Sequence, residues 1–155
     1  MSWVFDDGGR AQAGFRGSTG DCVTRAGAIA SGRPYKEVYD LVNELGRAET
    51  PRDGRGRSSA RKGTSKRTTR KLMEALGGTW VPVMKIGLGC TMHLRADELP
   101  SGVIVARLTR HLSAVIDGVV HDTFDPSRDG TRCVYGYWEF PYDAAAWWRP
   151  VLRRP

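Results

Sequence analysis

Two residues, Cys22 and His111, have the types and surroundings that covalent catalysis requires. Cys22 follows the turn-forming pair Gly20-Asp21 and begins an apolar pattern at helical spacing, which predicts a thiol in the first turn of a helix. A helix N-terminus stabilises the thiolate, which is the nucleophilic form of cysteine. His111 begins a β-prone stretch far downstream, and its imidazole can take the thiol proton and later give it to a leaving group. The pair therefore predicts a nucleophile and its acid/base.

The pair Asp117-Gly118 predicts a tight β-hairpin in this downstream stretch. Asp-Gly is a favoured sequence for the two-residue type I′ connection between antiparallel strands. If Asp117-Gly118 is the turn, Ile116 pairs with Val119. The same register then places Ser113 opposite Asp122.

This register brings an acid to the histidine. His111 and Asp122 share one face of the hairpin as diagonal neighbours, about 7–8 Å apart at Cα. We therefore expect Asp122 to accept a hydrogen bond from the imidazole and to fix its orientation. Asp125 is the alternative partner if the turn lies elsewhere, although an aspartate before a proline is also an ordinary turn starter.

The charge that develops on an attacked carbonyl needs hydrogen-bond donors. The backbone N–H of Cys22 at the helix start is one expected donor. The sequence leaves the second donor open. Its candidates are Gln12, Ser18 and Thr19.

Hydrophobic periodicity and turn residues predict helices first and strands afterwards. The predicted helices span about residues 21–31, 35–45 and 66–76, and the predicted strands about residues 80–83, 103–108, 111–122 (the hairpin) and 133–140. Residues 1–20 are expected to form an extended arm or loop, and Gly32 and Gly46 to end the first two helices. A final helical turn is expected near residues 144–148. This order predicts an α+β fold with N-terminal helices packed on a C-terminal antiparallel β-sheet and the site between them.

The charge of the chain is concentrated in one segment. The 155 residues, 40% hydrophobic and 26% charged, are typical of one domain spanning residues 1–155. The net charge is +7, yet residues 47–71 alone carry a net charge of +8. Within them, the Gly/Ser-rich stretch at about 47–65 has the composition of a mobile basic loop. Such charges attract nucleic acid or an acidic protein partner, in a salt-dependent way. The candidate contacts are Arg55, Arg57, Arg61, Lys62, Lys66 and Arg67.

The composition also predicts a location and a redox state. No apolar run approaches the roughly 18 residues of a membrane span, and the N-terminus has no signal-peptide pattern, so we expect a cytoplasmic protein without a membrane partner. Cys22, Cys90 and Cys133 make an odd count without a C-x-x-C, so we expect no disulfide framework. Cys90 and His93 fit no zinc spacing, and we expect no metal and no cofactor.

The arrangement as a whole resembles a known superfamily. A Gly-Asp-Cys helix start at Cys22, followed by His111 and Asp122 on a hairpin, resembles the papain-like cysteine hydrolases, including their transglutaminase-like branch and their peptidase branches. Residues 111–123 look particularly like small papain-like proteins of bacteria and their phages. The resemblance implies a papain-like α+β fold and thiol chemistry on a protein or peptide substrate. The chain departs from the superfamily in its third residue, Asp rather than Asn, and in lacking a glutamine at the usual oxyanion position.

The sequence therefore predicts a cysteine hydrolase. It would cleave or transfer an amide, isopeptide or thioester acyl group through a covalent acyl-enzyme on Cys22, with His111 and Asp122 completing a triad. Hydrolysis and acyl transfer stay open, because they differ only in whether water or an amine resolves the intermediate. The alternative is a non-catalytic protein of the same fold that uses the basic loop to bind nucleic acid or an acidic protein.

Overall fold

Residues 1–17, 19–50 and 56–141, which the computed structural model describes, form three helices and six strands. In chain order they are β1 (Trp3–Phe5), α1 (Cys22–Ser31), α2 (Tyr35–Ala48), α3 (Lys66–Ala75), β2 (Thr79–Pro82), β3 (Val103–Leu108), β4 (His111–Ile116), β5 (Val119–Asp122) and β6 (Gly136–Phe140). None of these helices is long and apolar enough to cross a membrane. The predictions for Ser18, for Arg55 and for a final helical turn lie outside the described residues.

The strands form one mixed sheet in the order β1-β5-β4-β3-β6-β2. Neighbouring strands are antiparallel except β1 and β5, which pair parallel with Phe5 opposite Asp122. The α+β class is as predicted, whereas the predictions of an N-terminal arm and of a purely antiparallel sheet are wrong at this edge. β2 lies at the opposite edge, which is where strands that contain a proline such as Pro82 are found, because proline has no N–H to donate to a neighbouring strand.

The helices pack on one face of the sheet, as predicted. The core between them includes buried residues from the sheet at Val103, Val105, Ala114, Ile116 and Trp138. A second buried cluster covers the other face and includes Leu94, Ile104, Val115, Val120 and Val134. Because it is covered on both faces, β3 is a nearly continuous apolar run rather than an alternating one.

The boundaries of α1 follow from its terminal residues. The helix starts at Cys22 and is followed by Gly32, as predicted. Gly32 adopts a left-handed conformation with φ of 76°, and its N–H donates to the carbonyl of Ala28. This is a common way to close a helix, because glycine has no Cβ to oppose that conformation. The first turn of α1 is thereby fixed at the sheet end where His111 begins β4.

Gly46 has a different role from the predicted one. α2 continues past it to Ala48, so the prediction that Gly46 ends this helix is wrong. A Cβ on Gly46 would lie 1.9 Å from the carbonyl oxygen of Ser58. Glycine is therefore needed here because another segment of backbone crosses the helix in direct contact.

That crossing segment is the described part of the basic loop, and it is packed rather than mobile. The N–H of Ala60 donates to Oδ1 of Asn43 at 2.9 Å, and its carbonyl accepts from Oγ1 of Thr24 at 3.2 Å. Ala60 itself is 1% exposed. The sequence analysis expected no such packing in this loop, and these contacts hold Ala60 between α1 and α2. The cationic side chains that remain exposed here and at the start of α3 are those of Arg57, Arg61, Lys62, Lys66 and Arg67.

Cys90 and Cys133 form a disulfide, with their Cα atoms 5.9 Å apart. The expectation of no disulfide framework did not identify this single bridge, because an odd count still allows one bridge and one free thiol, which is Cys22. The bridge also prevents both cysteines from binding metal as thiolates, and the described residues contain no cluster of metal-binding side chains. Structural disulfides are usual in oxidising compartments. The cytoplasmic location stays a prediction from the sequence.

Candidate active site

The three residues predicted to form a triad meet at one end of the sheet. His111 begins β4 and Asp122 ends β5, and because these neighbouring strands are antiparallel, both residues stand at the same end. Cys22 begins α1, which packs against β4. The site therefore lies where the N-terminus of a helix meets the open end of a hairpin.

The hairpin turn sets this arrangement. Asp117 and Gly118 have φ of 46° and 79°, the left-handed values that a type I′ turn requires. Ile116 pairs with Val119, so the predicted register is confirmed. Oδ1 of Asp117 also accepts from the N–H of Gly102, which ties the turn to the segment before β3. The turn therefore sets the pairing register of the whole hairpin, and with it the positions of the residues at the open end.

The His111 imidazole is held by a shared carboxylate oxygen. Nε2 of His111 lies 2.6 Å from Oδ2 of Asp122, and Oγ of Ser113 donates to the same oxygen at 2.8 Å. The other oxygen, Oδ1, accepts from the N–H of Thr123 at 2.7 Å. These bonds fix the position of the carboxylate. Because the carboxylate binds Nε2 of the imidazole, the other ring nitrogen, Nδ1, is the one that can interact with the thiol of Cys22. The ring of Phe124 contacts the His111 ring with centroids 5.1 Å apart.

The groups around the thiol of Cys22 favour its ionised form, the thiolate. Burial acts to raise the pKa of this thiol, whereas hydrogen bonds from His111 and from the backbone N–H of Leu112 act to lower it. The positive charges of His111 and Arg25 act in the same direction, so the pKa of Cys22 lies below its ordinary value. A lowered pKa is the condition for a nucleophilic cysteine at neutral pH.

The imidazole shows the complementary shift. Burial acts to lower the pKa of His111, but hydrogen bonds and charges from Asp122 and Cys22 raise it to about 9. Burial also acts to raise the pKa of Asp122. The hydrogen bond and charge of His111, together with the hydrogen bonds from Ser113 and from the N–H of Thr123, more than offset burial, so that carboxyl stays ionised. The pKa of the Cys22 thiol is lowered and that of the His111 imidazole is raised, and both directions favour the thiolate–imidazolium form of the pair.

Arg25 is a site residue that the sequence analysis missed. It lies one turn along α1 from Cys22, with only 9% of its surface exposed. Its Nη2 contacts Oδ1 of Asp122 at 3.2 Å, and its Nη1 contacts Oδ1 of Asp21. One guanidinium thus joins the helix that begins at Cys22 to the strand that ends at Asp122. The only signal in the sequence was an arginine within an otherwise apolar helix, and its partners cannot be read from spacing.

Asp21 anchors this bridge from the residue before the nucleophile. Its side chain does not cap α1, and its Oδ2 instead accepts from the hydroxyl of Tyr35 at 2.6 Å. Asp21 is 1% exposed, so its charge requires the compensation that Arg25 gives. Since the carboxylate takes none of the N–H donors in the first turn, the N–H of Cys22 stays available for an oxyanion.

The three candidates for the second oxyanion donor have different positions. Thr19 lines the cleft beside Cys22, and its hydroxyl donates to the carbonyl of Arg61 at 2.9 Å. Gln12 lies exposed in the turn of residues 8–14 and does not line the cleft. Ser18 is outside the described residues. The structure thus brings only Thr19 of the described candidates to the cleft.

A cleft of about 630 Å³ opens beside the thiol. Its walls come from the start of α1, the segment before α3, and the end of the sheet where His111 lies. Phe124 forms part of the wall next to the imidazole. This volume is large enough for a substrate of several residues at the nucleophile.

The alternative acid, Asp125, and the neighbouring histidine, His121, are placed elsewhere. Oδ1 of Asp125 accepts from the N–H of Ser127 at 2.9 Å, as a turn starter does. Nδ1 of His121 lies 3.1 Å from Oδ2 of Asp6, which follows β1. Asp122 is therefore the carboxylate that reaches His111.

Comparisons with known proteins leave the papain-like resemblance untested. No protein-family model matches the chain, and no curated protein or solved structure matches it.

Proposed function

We propose that the protein is a papain-like cysteine hydrolase or acyltransferase, with Cys22 as nucleophile, His111 as acid and base, and Asp122 as the residue that orients the imidazole. The observation that carries the proposal is the continuous chain of contacts from Cys22 through His111 to Asp122 in the wall of a cleft. The lowered pKa of the thiol and the raised pKa of the imidazole are the directions that this chemistry requires.

The first half of the reaction forms an acyl-enzyme. The thiolate of Cys22 attacks the carbonyl carbon of an amide, isopeptide or thioester, and a C–S bond forms. The N–H of Cys22 stabilises the charge on the carbonyl oxygen. The His111 imidazolium gives its proton to the departing amine or thiol as the bond to the leaving group breaks. Cys22 then carries a thioester, and His111 is neutral.

The second half releases the acyl group. Neutral His111 takes a proton from water or from an amine, and the resulting nucleophile attacks the thioester carbonyl. The C–S bond breaks, Cys22 leaves as a thiolate, and His111 is again protonated. Water completes a hydrolysis, whereas an amine completes an acyl transfer, so the same residues serve both reactions.

The nitrophenyl ester p-nitrophenyl acetate tests this proposal, because a small activated ester makes few demands on the cleft. We expect a burst of nitrophenolate and an acetyl group on Cys22, located by peptide mapping. Acetylation should disappear in Cys22→Ala and slow by roughly 10²-fold in His111→Ala, which is the scale of acid–base catalysis. His93→Ala is the matched control, since His93 pairs with Glu98 away from the cleft. Equal acetylation of the parent protein and His111→Ala would overturn the proposal.

A further inference from the structure

Four cationic side chains surround the entrance to the cleft that holds the thiol. Lys62 lies in the segment before α3, and Lys66 begins α3. Arg107 lies near the end of β3, and Arg110 lies in the turn between β3 and β4. Within residues 1–17, 19–50 and 56–141, none of the four takes part in an ion pair. Like charges held around one opening repel one another, and an anionic ligand relieves that repulsion.

Only some of the exposed cations elsewhere on the described surface have acidic partners. Four are paired, as Arg33–Glu37, Lys36–Asp40, Arg70–Glu74 and Arg95–Asp97, whereas others such as Arg47, Lys71 and Lys85 have no acidic partner among the described residues. The acidic side chain in the cleft wall is that of Asp21, which is buried and already bound to Arg25 and Tyr35. The cleft therefore presents uncompensated positive charge to whatever enters it.

Two of these cations are built into the strands of the catalytic site. Arg107 pairs in register with Leu112, whose N–H donates to the Cys22 sulfur. Arg110 directly precedes His111 in the chain. The positive charge is therefore within a few residues of the reacting atoms, rather than on a separate binding face.

A second cavity continues beyond these cations. Its volume is about 650 Å³, and it shares Lys66, Arg107 and Arg110 with the first cavity. Its far wall includes Trp80 and the fully exposed Ile86. The three shared cations, the cationic ridge, thus lie between the nucleophile and a partly apolar surface. An extended ligand, rather than a compact one, fits this succession.

We propose that the substrate is an acidic polypeptide segment, bound with its carboxylate side chains on the cationic ridge beside the carbonyl that Cys22 attacks. This inference rests on the proposed thiol chemistry. Attack at Cys22 needs an acyl carbon with a leaving group, which a polypeptide has and a nucleic acid backbone lacks. An extended acidic peptide therefore satisfies both the nucleophile and the ridge.

Two peptidyl vinyl sulfones test the substrate class, because the electrophile reports binding as a rate of labelling at Cys22. One probe carries two Glu residues before the electrophile and the other carries two Gln residues. We expect the Glu probe to label Cys22 about 10-fold faster at low salt, with the advantage shrinking at high salt as charges are screened. The ratio should fall several-fold in Lys66→Glu and in Arg110→Glu.

Lys71→Glu is the matched control, because Lys71 is exposed on the same helix as Lys66, lines neither cavity and changes the net charge equally. Its Glu-to-Gln ratio should equal that of the parent protein. The two probes could label Cys22 equally while neutral iodoacetamide still alkylates Cys22 at a lower pH than it alkylates an ordinary cysteine. That result would overturn the acidic-substrate inference and leave the proposed function standing. Failure of iodoacetamide to show that low-pH reaction would overturn the proposed function itself. Competition by oligothymidylate without any preference for the Glu probe would assign the ridge to nucleic acid instead.

Discussion

Arg25 Nη2 lies 3.2 Å from Oδ1 of Asp122, across 97 residues of chain. The same guanidinium contacts Asp21, which directly precedes the nucleophile. The helix that carries Cys22 and the strand that carries the orienting acid are therefore held together by one buried cation between two carboxylates. The spacing of the site depends on this bridge as well as on the hydrogen bond between His111 and Asp122.

Replacing Arg25 by methionine should destabilise the fold strongly. Methionine keeps much of the side-chain volume but removes the charge between the two buried carboxylates, and breaking a buried ion pair costs about 3–5 kcal/mol. Asp122 then keeps its contact with His111, and Asp21 keeps the 3.6 Å contact with Arg10. Denaturant unfolding measures the loss. Arg33→Met is the control, because the exposed pair of Arg33 with Glu37 contributes about 0–1 kcal/mol. Similar losses in the two variants would show that Arg25 does not bridge the carboxylates.

Removing the imidazole should raise the pKa of the Cys22 thiol. In His111→Ala the hydrogen bond and charge that lower this pKa are lost, while part of the burial that raises it remains. The rate of alkylation by iodoacetamide, followed against pH, should then rise only at a higher pH than in the parent protein. His93→Ala should keep the parent profile. A profile that is unchanged in His111→Ala would contradict the thiolate–imidazolium pair.

The His111 imidazole should titrate near pH 9 in the folded protein, against about 6.5 for an unperturbed histidine. Because the folded pKa is the higher one, this group's contribution to stability is complete below about pH 6.5 and is lost as the pH rises through about 9. Asp122→Asn and Cys22→Ser each remove a charge that raises this pKa, so NMR titration should find it lower in both variants. A value near 6.5 in the parent protein would contradict the assignment.

The disulfide should leave one reactive thiol in the native protein. Thiol counting without reductant should find Cys22 alone, and Cys22→Ala should reduce the count to zero. The bridge closes a loop across a sequence separation of 43, for which the chain-entropy model gives about 4 kcal/mol of stabilisation. The double variant Cys90→Ala/Cys133→Ala should therefore unfold at clearly lower denaturant concentration. Three thiols in the unreduced protein would refute the bridge.

Gly46→Ala should destabilise the protein, although alanine normally favours a helix by about 1 kcal/mol over glycine. The added Cβ would meet the carbonyl of Ser58 at 1.9 Å, and overpacking of this kind costs about 1–3 kcal/mol. Thermal unfolding measures the difference. Arg47→Ala, at the next and exposed position, should change stability by less than about 0.5 kcal/mol. A stabilised Gly46→Ala variant would mean that the crossing segment moves away freely.

The hairpin was predictable because its information is local. Asp117-Gly118 specifies the turn, the turn specifies the register, and the register places Asp122 within reach of His111. The start of α1 at Cys22 follows equally from neighbouring residues. These local signals were sufficient to choose the residues that the structure brings together.

Features that depend on distant partners were not predictable. The three exposed residues of β1 show no alternating pattern, and their pairing with β5 is decided by the finished sheet. Arg25 is a buried charge whose partner Asp122 is remote in sequence. A glycine at position 46 is typical of a helix end, yet glycine is required there because the backbone of Ser58, in another segment, contacts it. The bridge between Cys90 and Cys133 likewise depends on how close the fold brings the two cysteines, which the number of cysteines in the sequence does not reveal.

The pairing of β1 with β5 has a consequence for the order in which the candidate site is assembled. Asp6, just after β1, contacts His121 across 115 residues, so β1 must wait until β5 has been synthesised before it can join the sheet. Cys22 likewise emerges from the ribosome well before His111 and Asp122. Until those strands have been made, the thiol has no imidazolium beside it. The nascent chain therefore carries an ordinary cysteine, and nucleophilicity arises only with the completion of the sheet.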